Sequence, residues 1–265
     1  MPEILSYGFM QRALLTGTVL ALFAGIISVF IVLRRISFLG SGLSHAAFGG
    51  VAIGFYFGVN PLMTAFLYSV VVAFGIEGIS SRGRLAEDTA IGILFAFSMA
   101  LGVVLIGLAE SYTIDLFGYL FGSILAITDE DAFIAAGLSL SLTAAVLLIM
   151  KELHFITFSE ELAAVSGIRV RFVKSVFLVS MAVAIVVGIK LVGIILISAL
   201  LVIPGAMAHQ LTRDFRTMIA LSCLVALFST ISGIMTAYWL NLAPGGTIVL
   251  VMALLFFLSL LRRKY

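Results

Sequence analysis

ALLTGTVLALFAGIISVFIVLRR, residues 13–35, decides what kind of molecule this is. From Ala13 to Leu33 no side chain carries a charge, and the run closes on the paired cations Arg34 and Arg35. A helix needs about 20 apolar residues to cross roughly 30 Å of hydrocarbon, so the stretch reads as a membrane span with a charged stop. It is too long for the apolar core of a secretory leader, and a further span follows at once. Comparable runs recur at 37–58, 61–80, 89–109, 132–150, 172–189, 191–208, 217–239 and 247–261. They are too long for the strands of a membrane barrel and lack its alternation. The expected fold is therefore all-α: one polytopic domain over residues 1–265, a bundle of eight to nine transmembrane helices. The count turns on 110–131, where 115–128 is apolar but too short to cross and runs into Asp129, Glu130 and Asp131.

Composition agrees. Hydrophobic residues make up 63% of the 265 and charged residues 11%, against about 45–50% and 25% in soluble domains. Too few polar groups exist to cover the surface of a soluble domain, so a soluble enzyme and a disordered chain are excluded. A nucleic-acid binder would need a far larger basic footprint than 15 Lys and Arg in a chain of net charge +2. A single cysteine, Cys223, excludes a disulfide framework and a cysteine-rich metal site. The surround is membrane lipid.

The cations set the expected orientation. Arg34, Arg35, Arg82, Arg84, Lys151, Arg169, Arg171, Lys174, Arg213, Arg216, Arg262, Arg263 and Lys264 fall in alternate loops or at the C-terminal end. Arg12 and Lys190 alone fall on the opposite side. The positive-inside bias then places the N-terminus outside and the C-terminus in the cytoplasm.

Ionisable groups inside apolar runs are costly and so mark candidate function. His45 lies deep in the second span, and helical spacing aligns Ser37, Ser41, His45 and Gly49 on one face. A small, polar stripe with an imidazole should face protein or a cavity. The imidazole could bind a transition metal or simply hold two helices together. His209 follows Ile203, Pro204 and Gly205; the Pro-Gly pair predicts a kink or local unwinding near a pathway or gate. His209 itself suits either the negative end of a helix or a ligand role. Asp115 reads as a guide for cations or as an N-cap. Gly118 and Gly122 form a helix-packing pair. Glu77 reads as a surface charge or ion-pair partner. No Gly-rich Lys loop for nucleotide phosphates is present, so the chain is expected to hold no ATP site of its own and no permanently bound cofactor.

The polar segment 157–174, TFSEELAAVSGIRVRFVK, joins two spans on the expected cytoplasmic side. Ser159 is a ready N-cap, Glu160 and Glu161 suit the first turn, and Gly167 supplies the stop. Leu162, Val165 and Ile168 give the helix an apolar side. It is either an ordinary amphipathic loop helix or a knob that docks into a groove on a cytoplasmic protein.

In order along the chain, FMQRAL (9–14), VLRRISFLG (32–40), LSHA (43–46), DLFGYLFG (115–122), LAIT (125–128) with Asp131, ELAAVSGI (161–168), Val192-Gly193, LVIP (201–204) and PGG (244–246) resemble the zinc/manganese permeases of ATP-binding-cassette importers, above all bacterial zinc-uptake permeases. The resemblance implies a homodimeric permease in the bacterial plasma membrane, served by cytoplasmic ATPase subunits and an extracytoplasmic metal-binding protein. It implies that 157–168 is the coupling helix, with Ser159, Glu160, Glu161, Ala164, Gly167 and Ile168 at the ATPase. It also implies a metal-contacting Asp and His four residues apart on the second span. His45 matches the His, but Ser41 stands where the Asp belongs. Histidine without carboxylate favours zinc as the transported ion over the harder manganese. Alternatives are a manganese importer, a carrier of chelated metal such as haem or a siderophore, and a gradient-driven secondary transporter. The last would predict internal repeats and a buried carboxylate, and neither is evident.

Overall fold

The structure is a computed structural model that describes residues 6–83, 85–108 and 127–261. Among them are eleven helices and no strand: α1 (Gly8–Leu33), α2 (Leu39–Phe57), α3 (Pro61–Gly83), α4 (Glu87–Leu108), α5 (Asp129–Leu148), α6 (Met150–Phe158), α7 (Glu160–Val165), α8 (Val170–Leu200), α9 (Ile203–Leu211), α10 (Phe215–Leu240) and α11 (Pro244–Leu261). Asp115, Gly118, Gly122, Arg84, Arg262, Arg263 and Lys264 lie outside the described residues.

Among the described residues eight helical segments are long and apolar enough to cross a bilayer: 8–33, 61–80, 87–108, 129–148, 170–189, 192–211, 215–240 and 244–261. These segments make the chain a multi-pass membrane protein. α2 is not among the eight, because Ser41, Ser44, His45 and its glycines dilute its hydropathy. Its 19 residues still span about 28 Å. The expected sixth and seventh spans are built differently from the sequence reading. α8 runs from 170 to 200 with one non-helical residue, Gly193, at φ 81° and ψ 165°. A second break follows at 201–202, and Pro204 sits in the first turn of α9. Proline lacks an amide donor and fits a first turn, where no carbonyl awaits it. It therefore starts a new helix here instead of kinking a continuous one.

The chain divides into two compact units, with boundaries inside α5 and α8. One comprises residues 1–34, 117–143 and 188–265. In it α1 packs on α9 and α10 through small residues. Ser222 Oγ donates to the carbonyl of Gly25 at 2.7 Å and shares a hydrogen bond with Ser28 Oγ at 2.8 Å. A Cβ at Gly25 would lie 2.8 Å from Cys223 Cα, and one at Gly205 would collide with the backbone carbonyl of Ser28. The Pro-Gly pair thus opens a helix and lets it press against α1. Arg12 pairs with Asp129 at the start of α5, 2.9 Å apart.

The other unit comprises 35–116 and 144–187. α2 packs between α3 and α4, with glycine again permitting contact. A Cβ at Gly50 would lie 2.6 Å from Ala65 Cα on α3, and one at Gly49 would lie 2.7 Å from the Ser98 carbonyl oxygen on α4. The outer face of α3 carries Met63, Leu67, Val71 and Phe74, all exposed. Large apolar side chains left open in a helical stripe are what lipid contact requires.

Candidate metal path and docking helix

From Leu39 to Ala52 every residue of α2 is buried except Ser41 and His45. The polar stripe expected from the sequence is therefore open along one face: Ser37 is exposed, and Ser41 and His45 are partly so. It stops at Gly49, which is buried against Ser98 of α4. Tyr68 on α3 shares a hydrogen bond with Ser98 Oγ at 3.1 Å, tying all three helices together at that level.

His45 is held in a defined pose. Its Nδ1 lies 2.8 Å from the backbone carbonyl oxygen of Ser41. A carbonyl can only accept, so the hydrogen bond assigns the proton to Nδ1 and leaves the lone pair of the neutral ring on Nε2. Phe95 of α4 meets the ring edge-on, centroids 4.8 Å apart and planes at 70°, and Phe38 meets Phe95 at 5.6 Å. An imidazole whose second nitrogen donates to a carbonyl is the usual arrangement of a metal-binding histidine. Phe95 had no signal in the sequence, since its partner lies on another helix. Among the described residues no group of three His, Cys, Asp or Glu could cage a metal.

His209 sits exposed in the last turn of α9, where its carbonyl-rich surroundings suit an imidazole donor. It belongs to the first unit and His45 to the second. Pro204 and Gly205 are buried in that same first unit, as packing residues.

Of the segment 157–168, residues 157 and 158 end α6, and the short helix α7 that follows is capped at both ends. The Ser159 hydroxyl accepts from the Leu162 amide at 3.2 Å. At the other end the Ile168 amide donates to Ala163 O (3.0 Å) and the Gly167 amide to Ala164 O (3.1 Å). That double closure needs a left-handed residue, supplied by Gly167 at φ 85°. Of the residues of α7 only Ala163 is buried. Leu162 is 62% exposed and Val165 87%, with Phe158 just upstream at 73%. Of the expected apolar side, Leu162 and Val165 therefore point away from the chain, beside exposed Glu161 and Ala164, whereas Ile168 is partly buried.

Beneath α7 lies an ion triad that the sequence did not disclose. Lys174 of α8 sits 2.9 Å from Glu87, the first residue of α4, and 2.9 Å from Glu160, the first residue of α7. Lys174 and Glu87 are 87 positions apart, so no local spacing could pair them. A cavity of ≈ 390 Å³ opens beside the triad, lined further by Glu77, Ser80, Val170 and Arg171.

An all-helical bundle with exposed apolar stripes and eight segments able to cross a bilayer defines a polytopic membrane protein. The chain belongs to the ABC 3 transport family, whose model it matches over residues 6–263. It is 35% identical over 258 residues to the manganese transport system membrane protein MntC of Listeria innocua, covering 97% of this chain and 92% of that protein. With the manganese import system permease protein ScaB of Streptococcus gordonii it shares 36% identity over 253 residues, 96% of this chain and 91% of that one. The solved structure of PsaBC from Streptococcus pneumoniae in complex with Fab has the same fold, with TM-score 0.84, 35% identity and coverage of 97% of this chain and 93% of that chain.

Proposed function

We propose that this chain is the membrane subunit of an ATP-driven importer of a divalent first-row metal ion, working as a homodimer with cytoplasmic ATPase subunits and an extracytoplasmic metal-binding protein. The observation that carries the reading is the pairing of an open Ser41–His45 stripe with an outward, doubly capped α7. The first gives an ion a relay through the apolar core, and the second gives an ATPase something to grip. The ion arrives from the binding protein, exchanges onto His45 Nε2, and leaves when the ATPases close and swing the dimer to inward access. A relay must release its cargo, so one imidazole and one hydroxyl serve it better than a complete cage. With the docking segment cytoplasmic, the N-terminus is outside and the C-terminus inside.

Manganese(II) is the cargo supported by the names of the relatives. A second reading, zinc(II), is supported by the chemistry of α2, where Ser41 offers no carboxylate beside His45 and imidazole suits zinc better than manganese. The test is ion uptake into proteoliposomes holding this chain with its ATPase and binding protein, with manganese and zinc in competition. ATP-dependent uptake of either, lost in His45→Ala while ATP hydrolysis persists, supports the importer. ATP-independent uptake driven by a proton or sodium gradient refutes it. The preferred ion decides between the two cargoes.

A further inference from the structure

We propose that Lys174 is the positioning residue that ties the docking helix α7 to α4, the helix against which His45 is set, so that movement of α7 at the ATPase is passed to the metal path. The proposal rests on the importer reading and on α7 as its docking helix.

The geometry supplies each link. α7 is lightly packed: Ala163 alone is buried, and the helix it packs on is the neighbouring α6, so apolar contact does not tie it to α4. The Glu160–Lys174 ion pair does have the reach. An ammonium carries three donors and can hold two carboxylates at once; Lys174 does so, with Glu87 on its other side at 2.9 Å. Glu87 opens α4, a helix unbroken to Leu108. Phe95 lies eight residues further on, about 12 Å of rigid helix, and there it meets the His45 ring at 4.8 Å. Another turn along, Ser98 abuts Gly49, the floor of the open stripe. A displacement of the N-terminus of α4 therefore arrives at both the side chain and the floor of the path.

The triad is also asymmetric in a way that suits a switch. The Lys174 side chain keeps only 13% of its surface accessible, Glu87 28% and Glu160 46%. The partly buried Lys174–Glu87 pair is the less screened and stays made, whereas the exposed Glu160 is the weaker, releasable partner. The adjoining ≈ 390 Å³ cavity gives water room to solvate Glu160 when it leaves. Two arrangements follow: all three groups joined with α7 against the body, or Lys174 on Glu87 alone with α7 withdrawn.

The experiment uses the full complex in proteoliposomes and reads metal taken up per ATP hydrolysed, with manganese and zinc as probes. In Lys174→Met the ATPase should co-purify at wild-type stoichiometry and hydrolyse ATP within about twofold of wild type, while uptake per ATP falls about tenfold or more. Lys174→Arg, which keeps the charge and both acceptors, should restore most of it. Glu87→Gln should uncouple like Lys174→Met, and it reads the same split if the methionine variant fails to fold. Uptake and hydrolysis falling in parallel, or loss of the ATPase on purification, would make the triad a brace for docking and overturn the proposal. So would an unchanged uptake per ATP. A wild-type complex with no ATP-dependent uptake removes the importer reading itself, an outcome distinct from any behaviour of the variants.

Discussion

Replacing Gly49 by alanine tests whether the floor of the metal path depends on close contact between α2 and α4. The new Cβ would stand 2.7 Å from the carbonyl oxygen of Ser98 and 3.4 Å from its carbonyl carbon and Cβ. The nearest atom belongs to backbone inside a helix, so it cannot rotate aside; the helices must part by roughly 0.7 Å to reach ordinary contact. Overpacking of this kind costs about 1–3 kcal/mol. Alanine returns up to about 1 kcal/mol in helix propensity, leaving a net loss of about 1–2 kcal/mol. The thermal midpoint of the purified complex in detergent should fall by about 3–6 °C. Uptake should fall further than stability, because the same separation loosens Phe95 from His45 and stretches the Tyr68–Ser98 hydrogen bond of 3.1 Å. Gly92→Ala is the matched control: it lies on the same α4, and nothing stands within 4 Å of its added Cβ. It should be neutral or stabilising by up to about 1 kcal/mol. Equal midpoints and equal uptake for the two variants would refute the close-contact reasoning.

Gly167→Ala meets no atom within 4 Å, so its cost is purely that of φ 85°, about 1–2 kcal/mol of the closure of α7; ATPase retention on purification should weaken, and Gly167→Asn should weaken it less. Ser159→Ala removes the cap on the Leu162 amide and should cost about 1 kcal/mol of helix stability, read as faster amide exchange at 160–163. Ser41→Asp places a carboxylate one turn before His45 and should shift competitive uptake toward manganese; an unchanged ion ratio would detach α2 from selectivity. Burial holds the His154 imidazole on α6 below its ordinary value of 6.5. The unfolded chain then binds the proton more readily, so stability is complete above pH 6.5 and declines as pH falls toward the folded value. Thermal midpoints measured down an acid series should drop, and His154→Gln should flatten the drop.

Much of this molecule is written locally. The span at 13–33 needs no partner to be recognised, because a run of uncharged apolar residues can satisfy its backbone in hydrocarbon only as a helix. The caps of α7 are equally local: the Ser159 hydroxyl reaches an amide three residues on, and Gly167 closes the two carbonyls just behind it. The i, i+4 alignment of Ser41 and His45 also follows from helical pitch alone.

What the fold decided is everything that needed a second helix. Whether the stripe on α2 was open or sealed depended on how α3 and α4 close around it, and those helices bury all of Leu39 to Ala52 save Ser41 and His45. The outward turn of Leu162 and Val165 was invisible in their spacing, which an inward helix would share. Pro204 read as a kink or a local unwinding, and the structure has the unwinding, at 201–202; proline at the start of the next helix costs nothing that the break had not cost. No spacing in the sequence pairs Glu87, Glu160 and Lys174, and only tertiary packing set Lys174 2.9 Å from each of the two carboxylates. Helical periodicity reports which residues share a face; it holds no information on which face of which distant helix they will meet, because that is settled by side-chain fit among segments far apart in the chain.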